Sequence, residues 1–226
     1  MHRYTLGLAL FDYLPVIMAG IGIWLICRYC AALGNRSGAW IIIIPLIATS
    51  GGFLKATWKM IVVITGNNIQ WLSDQLFFFI AAGYVMLAAA VVLSLRADAA
   101  GRSLAAGWWK LPAAIAAVII VSALILRVTY DQRYWSTLLL VTMSIANLIF
   151  ALRLIAHSFD KRNWLSLFGF SANLVISYAL VGLARIEEQT LELQWVEEIL
   201  NLAAMSLLTF AAWNLIKARR AAQNVL

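Results

Sequence analysis

Two lysines inside an apolar stretch are the side chains of this chain best suited to chemistry. Lys55 and Lys59 stand four residues apart, so they share one face of a helix. An ionisable group in hydrocarbon is costly, and such residues usually face the interior of a bundle, where they pair or mark a site. We predict that Lys55 and Lys59 bind an anionic group of a small solute or exchange protons with a buried acid.

Asp12 is the acid expected to pair with one of these lysines. Asp12 and Lys59 each lie roughly 9 Å from the nearer end of their apolar segments, counted at 1.5 Å per residue. Lys55 lies roughly 15 Å in, near the middle of a ~30 Å hydrocarbon core. We predict an Asp12–Lys59 or an Asp12–Lys55 pair. The second lysine then needs Glu197 or Glu198, a bound anion, water or the loss of its proton.

Further polar side chains complete the candidate site. Glu198 and Asn201 are three residues apart, so one helix face can present both. Alternatively, Glu197 and Glu198 lie in the first turn of a helix, favour its dipole and sit among headgroups. Six further polar residues in the apolar stretches either line a solute path or bond across helix interfaces: Tyr84, Ser144, Asn147, Asn173, Ser177 and Tyr178. The candidate ligand-binding residues are Asp12, Lys55, Lys59, Glu198, Asn201, Tyr84 and Asn173.

Recognised catalytic signatures do not occur in the sequence. It contains no G-x-S-x-G, no H-E-x-x-H and no phosphate-binding glycine loop. Cys27 and Cys30 form a C-x-x-C spacing that lacks the two further ligands of a metal site, so packing or lipidation is the better interpretation. We expect no catalytic residue, no metal and no cofactor, and we favour a protein that is not an enzyme.

The composition places these residues in a membrane. Hydrophobic residues make up 64% of the 226 residues and charged residues 12%. A soluble domain carries about 25% charged residues, so soluble globular and disordered chains are excluded. The net charge of +7 fits basic residues on cytoplasmic loops, and we expect the lipid bilayer rather than nucleic acid as the partner.

Seven stretches of the chain are apolar enough to be membrane-spanning helices, each of which needs about 20 residues. They run approximately over 6–31, 39–65, 76–95, 109–128, 134–156, 164–185 and 196–217. Tryptophans at their ends fit an interfacial aromatic belt; examples are Trp40, Trp71, Trp108, Trp109 and Trp164. The sequence predicts an all-α integral membrane protein, with a single seven-helix transmembrane domain over residues 1–226.

Basic residues are distributed unevenly between the two predicted faces. Of the 17 Lys and Arg residues, eleven fall on one face and four on the other, while Lys55 and Lys59 lie inside a helix. Because Lys and Arg accumulate on cytoplasmic loops, this bias predicts an outer N-terminus and a cytoplasmic C-terminus. We expect a multi-pass protein of the plasma or inner membrane.

The third and seventh segments begin and end alike. Gln75 and Glu198 open them, each contains an Ala-Ala step, and Arg96 and Lys217 close them. Segments one to three then match five to seven, with the fourth as linker. This 3+1+3 plan resembles in topology the SWEET and PQ-loop transporters, which implies a solute site between parallel repeats. The Pro-Gln signature of those transporters is absent.

Three functional classes remain open from the sequence. The first binds or transports a small solute or ion through an outward-facing polar cavity. The second is a non-catalytic subunit or assembly factor of a larger membrane complex. Such a subunit would offer a partner, or a second copy, a stripe of small residues, either Gly83 with Ala90 or Ala203, Ala204, Ala211 and Ala212. The third is a ligand-sensing seven-helix receptor with a separate output partner.

Overall fold

The computed structural model describes residues 5–130, 133–183 and 190–223. Within these ranges the chain forms eight α-helices and no β-strand. The helices are α1 (Leu6–Phe11), α2 (Tyr13–Leu33), α3 (Trp40–Thr65), α4 (Gln70–Ala99), α5 (Lys110–Thr129), α6 (Tyr134–Asp160), α7 (Trp164–Leu183) and α8 (Leu191–Gln223). Because α1 and α2 form one stretch, seven stretches are long and apolar enough to cross a membrane. The prediction of an all-helical chain with seven such stretches is confirmed, whereas the orientation and the repeat stay predictions.

Several helices extend beyond their predicted ends. The largest differences are at α4, which begins at Gln70, and at α8, which begins at Leu191 and ends at Gln223. The added turns contain polar residues, which is why hydropathy alone excludes them. Glu198 therefore lies roughly two turns inside α8. The interpretation of Glu197 and Glu198 as acids of a first helical turn is wrong.

The first membrane-spanning stretch is interrupted at Asp12. Helix α1 ends at Phe11, and α2 begins at Tyr13. Pro15 explains the interruption, because it has no amide to donate to the carbonyl of Phe11 and its ring crowds that carbonyl. Asp12 itself keeps helical backbone angles, and its N–H donates to Leu8 O at 3.1 Å, so the interruption is local and the stretch continues through it.

Six of the seven stretches form a closed ring. Helices α2, α3, α4, α6, α7 and α8 each pack against the next, and α8 returns to α2. Helix α5 lies outside this ring, against α4 and α6. Large apolar side chains cover the outside of the bundle: Val118, Val128 and Val175 are 65%, 88% and 69% exposed. An exposed apolar surface of this kind suits contact with lipid.

The two halves of the ring are packed differently. We call the end at which α1 begins the N-terminal end and the end at which α8 finishes the C-terminal end. The main hydrophobic core lies toward the C-terminal end and is formed chiefly by the segments 23–33 of α2, 87–95 of α4 and 146–154 of α6. Cys27 and Cys30 are buried in this core as free thiols, so they pack as apolar side chains.

The tryptophans at the helix ends have two kinds of environment. Trp40 and Trp108 are buried, and their rings pack edge to face with centroids 5.2 Å apart. They are covered because the α4–α5 connection folds onto the α2–α3 connection, with Leu104 N donating to Gly34 O at 2.9 Å. The predicted belt is therefore wrong for these two residues. Three of the predicted belt residues are exposed, as contact with the membrane interface requires: Trp71, Trp109 and Trp164.

Helices α3 and α4 approach each other through small residues. A Cβ added at Gly83 would lie 2.5 Å from Ala48 Cα, and Ala90 is fully buried. Ala204 and Ala211 on α8 are also fully buried. The prediction that these small residues form a stripe for a partner is wrong, because neighbouring helices of the same chain cover them.

We expect Gly83→Ala to destabilise the protein by about 1–3 kcal/mol, because overpacking at this contact forces two helix backbones apart. Gly182→Ala is the matched control, since no atom lies within 4 Å of a Cβ at that position. The control should be neutral or stabilising by up to ~1 kcal/mol from helix propensity. Thermal unfolding of both variants in detergent checks the prediction, which equal midpoints would contradict.

Candidate ligand-binding cavity

A buried ammonium group bonded to two carboxylates lies at the interruption of the first stretch. Lys59 Nζ on α3 is 2.8 Å from Asp12 Oδ2 and 2.7 Å from Glu198 Oε1 on α8. The three residues are only 5–8% exposed: Lys59 5%, Asp12 7% and Glu198 8%. The predicted Asp12–Lys59 pair is confirmed. Glu198, which we expected as a possible partner of the second lysine, instead bonds to Lys59 together with Asp12.

The five ionisable residues Asp12, Lys55, Lys59, Glu197 and Glu198 form what we call the charge cluster. It contains three carboxylates and two ammonium groups, so one negative charge remains in excess when all are ionised. Asp12 and Glu198 both bond to Lys59 Nζ, so their two carboxyl groups lie close together. A proton or a ligand cation between them would remove their repulsion.

The charge cluster borders a cavity of about 480 Å³, which we call the central cavity. All six helices of the ring line it. Its volume falls within the range of roughly 300–1,000 Å³ that is typical of small-molecule sites. At its deep end the ring of Tyr84 packs edge to face on the buried ring of Phe150, with centroids 5.6 Å apart. Phe150 belongs to the hydrophobic core, so the cavity stops there.

The wall of the central cavity is charged on one side and neutral on the other. Helices α2, α3 and α8, with Asp12 at the start of α2, contribute the charged residues Asp12, Lys55, Glu197 and Glu198. Helices α4, α6 and α7 contribute neutral polar residues and apolar ones. The apolar residues of this neutral wall include Leu76, Phe77, Ile80, Leu140, Met143, Leu180 and Val181. The cavity therefore offers a ligand ionic contacts on one side and apolar contacts on the other.

Most of the residues predicted from the sequence come together here. Those that line the central cavity are Asp12, Lys55, Tyr84, Glu198 and Asn201. Lys59 lies behind the wall, bonded to Asp12 and Glu198. Asn173 does not line the cavity. Its Nδ2 donates to Ala204 O at 2.8 Å and so joins α7 to α8.

Sequence reasoning left four further polar lining residues undecided. They are Ser144, Asn147, Ser177 and Tyr178. Helical spacing was a usable signal, because Ser144 and Asn147 are three residues apart on α6 and share a face. Tyr178 also donates its hydroxyl to Ser144 O at 3.1 Å, so part of this wall is tied by a bond between α6 and α7.

Lys55 lies between the central cavity and a second cavity. The second cavity, which we call the vestibule, measures about 390 Å³ and lies among the start of α4, the end of α5 and the start of α6, with Lys55 of α3 in its wall. The two cavities share Lys55, Leu76 and Phe77. Asp74 and Arg127 also line the vestibule, and they pair with each other at 2.8 Å. Lys55 is thus the residue of the charge cluster that lines both cavities.

The ammonium group of Lys55 is partly buried. Across 5–130, 133–183 and 190–223, no side chain forms an ion pair or a hydrogen bond with it. The carboxylates of Asp12, Glu197 and Glu198 attract it from farther away. Lys55 thus differs from Lys59, whose ammonium group is bonded to two carboxylates.

The same described ranges contain no group of three or more His, Cys, Asp or Glu side chains that could hold a metal ion. Comparisons with known proteins give no relative, since no family model, curated protein or solved structure matches this chain. The cavity and its charges are therefore the features of this protein that bear on its function.

Proposed function

We propose that this protein binds a small solute in the central cavity and carries it across the membrane. The observation that carries the proposal is that the cavity is one-sided. It borders the vestibule toward the N-terminal end and meets the hydrophobic core toward the C-terminal end. A carrier that alternates its access requires a site near the middle of the membrane that is closed on one side.

Each part of the site has a role in this proposal. Lys55 binds an anionic group of the solute, because its ammonium group faces both cavities. Tyr84 and Asn201 offer neutral hydrogen-bonding groups at other points of the wall. Lys59 holds the start of α2, α3 and α8 together through its two carboxylates. A proton or ligand that changes these bonds changes the contact between helices, which is a means of driving a switch in access.

The orientation and the repeat belong to the same proposal. The N-terminal end would face outward and the C-terminal end the cytoplasm, as the eleven-to-four distribution of basic residues favours. The order of helices supports a 3+1+3 plan. Around the ring, α2, α3 and α4 come first in chain order, and α6, α7 and α8 come next. Helix α5, which would be the linker, lies outside the ring.

Native mass spectrometry of the protein, extracted gently from its own membrane, tests solute binding. We expect a small molecule bound in a fixed ratio, present in the wild type and absent from Lys55→Met. Lys110→Met is the matched control, since Lys110 is exposed at the start of α5 and lines neither cavity. A bound protein subunit without any small molecule would overturn the proposal in favour of the complex-subunit alternative.

A further inference from the structure

We propose that the solute is a zwitterion with a carboxylate, an ammonium group and an apolar body, as in a small neutral amino acid. The inference rests on the proposed function and specifies its substrate class. It follows from three features of the central cavity: a cation without an ion pair, carboxylate oxygens without a hydrogen bond, and an apolar wall that faces both.

Lys55 would bind the carboxylate of the ligand. Among the described side chains none forms an ion pair or a hydrogen bond with its ammonium group, although the residue is partly buried inside the bundle. A partly desolvated charge is stabilised when a group of opposite charge bonds to it directly. A ligand carboxylate supplies that bond from inside the cavity.

The carboxylates of α8 would bind the ammonium group of the ligand. Glu198 is 92% buried and accepts from Lys59 through Oε1, while its Oε2 has no hydrogen-bond donor in the described part of the chain. Glu197 Oε1 is likewise buried without a donor there. A ligand ammonium group has three N–H donors for these oxygens.

The neutral wall would hold the apolar body. Ile80 on α4 and Leu140 and Met143 on α6 line the neutral wall of the cavity, whereas Lys55 and Glu198 line its charged wall. Flexible methionine side chains adapt to ligands of different shape. A dianion would place its second charge beside Glu197 and Glu198, and a simple organic cation would face Lys55. A zwitterion places its carboxylate at Lys55 and its ammonium group at Glu197 and Glu198, so each charge of the ligand meets a charge of opposite sign.

Three probes of matched shape test the inference. L-leucine has both charges, 3-methylbutylamine lacks the carboxylate, and 4-methylpentanoate lacks the ammonium group. We expect L-leucine to bind the protein in lipid nanodiscs and the other two probes to bind at least roughly 30-fold more weakly. Phenylalanine, 2-phenylethylamine and 3-phenylpropanoate form a second series for a larger apolar body. Binding is measured by calorimetry and by thermal stabilisation.

Substitution of Lys55 tests whether this residue binds the carboxylate of the ligand. Lys55→Met should raise the Kd of the zwitterion at least roughly 30-fold, whereas Lys110→Met should leave it unchanged. The comparison among probes uses only the wild-type protein, so it remains decisive if Lys55→Met fails to fold.

The outcomes separate this inference from the proposed function. Equal binding of the acid or of the amine alone would overturn the zwitterion and leave solute binding standing. Failure of all six probes beside a native adduct that lacks either charge would do the same. Failure of all six probes and the absence of any native adduct would overturn both proposals.

Discussion

Lys59→Met should lower the free energy of unfolding by about 3–5 kcal/mol, because removal of one partner from a buried ion pair leaves the other charge uncompensated. Here two partners are left, since Asp12 and Glu198 both bond to the same ammonium group. Both carboxylates lie within 2.8 Å of that ammonium group, so they are close enough to repel each other once the lysine is gone. The substitution also removes the bonds that join α3 to the start of α2 and to α8.

Chemical unfolding in detergent measures this loss, with Lys217→Met as control. Lys217 is exposed near the end of α8, so its loss should change stability by no more than ~0.5 kcal/mol. Adding Asp12→Asn and Glu198→Gln to Lys59→Met should recover most of the lost stability, because the repulsion is then absent. Equal stability of Lys59→Met and Lys217→Met would contradict a structural role for the three charges.

The Asp12–Lys59 pair could be predicted because depth in a membrane follows from counting residues along two helices. The participation of Glu198 could not be predicted in the same way. Polar residues after Leu191 lower the hydropathy of the first turns of α8, so hydropathy predicts a start several residues later than the observed one. Glu198 then looked like an acid near headgroups, whereas it lies inside the bundle.

Spacing along a helix shows which residues share a face, but it does not show which neighbour that face meets. Asn147 and Asn173 occupy similar apolar surroundings in the sequence. The first lines the central cavity, and the second bonds to the backbone of α8. The difference depends on how α6, α7 and α8 pack, which is a property of long-range contacts. The interruption at Asp12, by contrast, had a local signal in Pro15.

An impermeant thiol reagent should modify an Asn201→Cys variant in intact cells, in a background in which Cys27 and Cys30 are replaced by alanine. Asn201 lines the central cavity, on the side that we propose to face outward. Arg102→Cys serves as the opposite control, because Arg102 is exposed in the connection after α4, at the C-terminal end. It should react in inside-out vesicles and be protected in intact cells.

The pattern of modification tests the orientation and the one-sided cavity together. Both variants carry the same Cys27 and Cys30 replacements, so a general loss of folding would change the modification of both cysteines. In a correctly folded protein each introduced cysteine is modified from one side of the membrane only. Modification of Asn201→Cys only in inside-out vesicles, with Arg102→Cys reactive in intact cells, would reverse the orientation. Protection of Asn201→Cys from both sides, beside a reactive Arg102→Cys, would mean that the cavity is closed. The solute would then need a conformational change before it could reach Lys55.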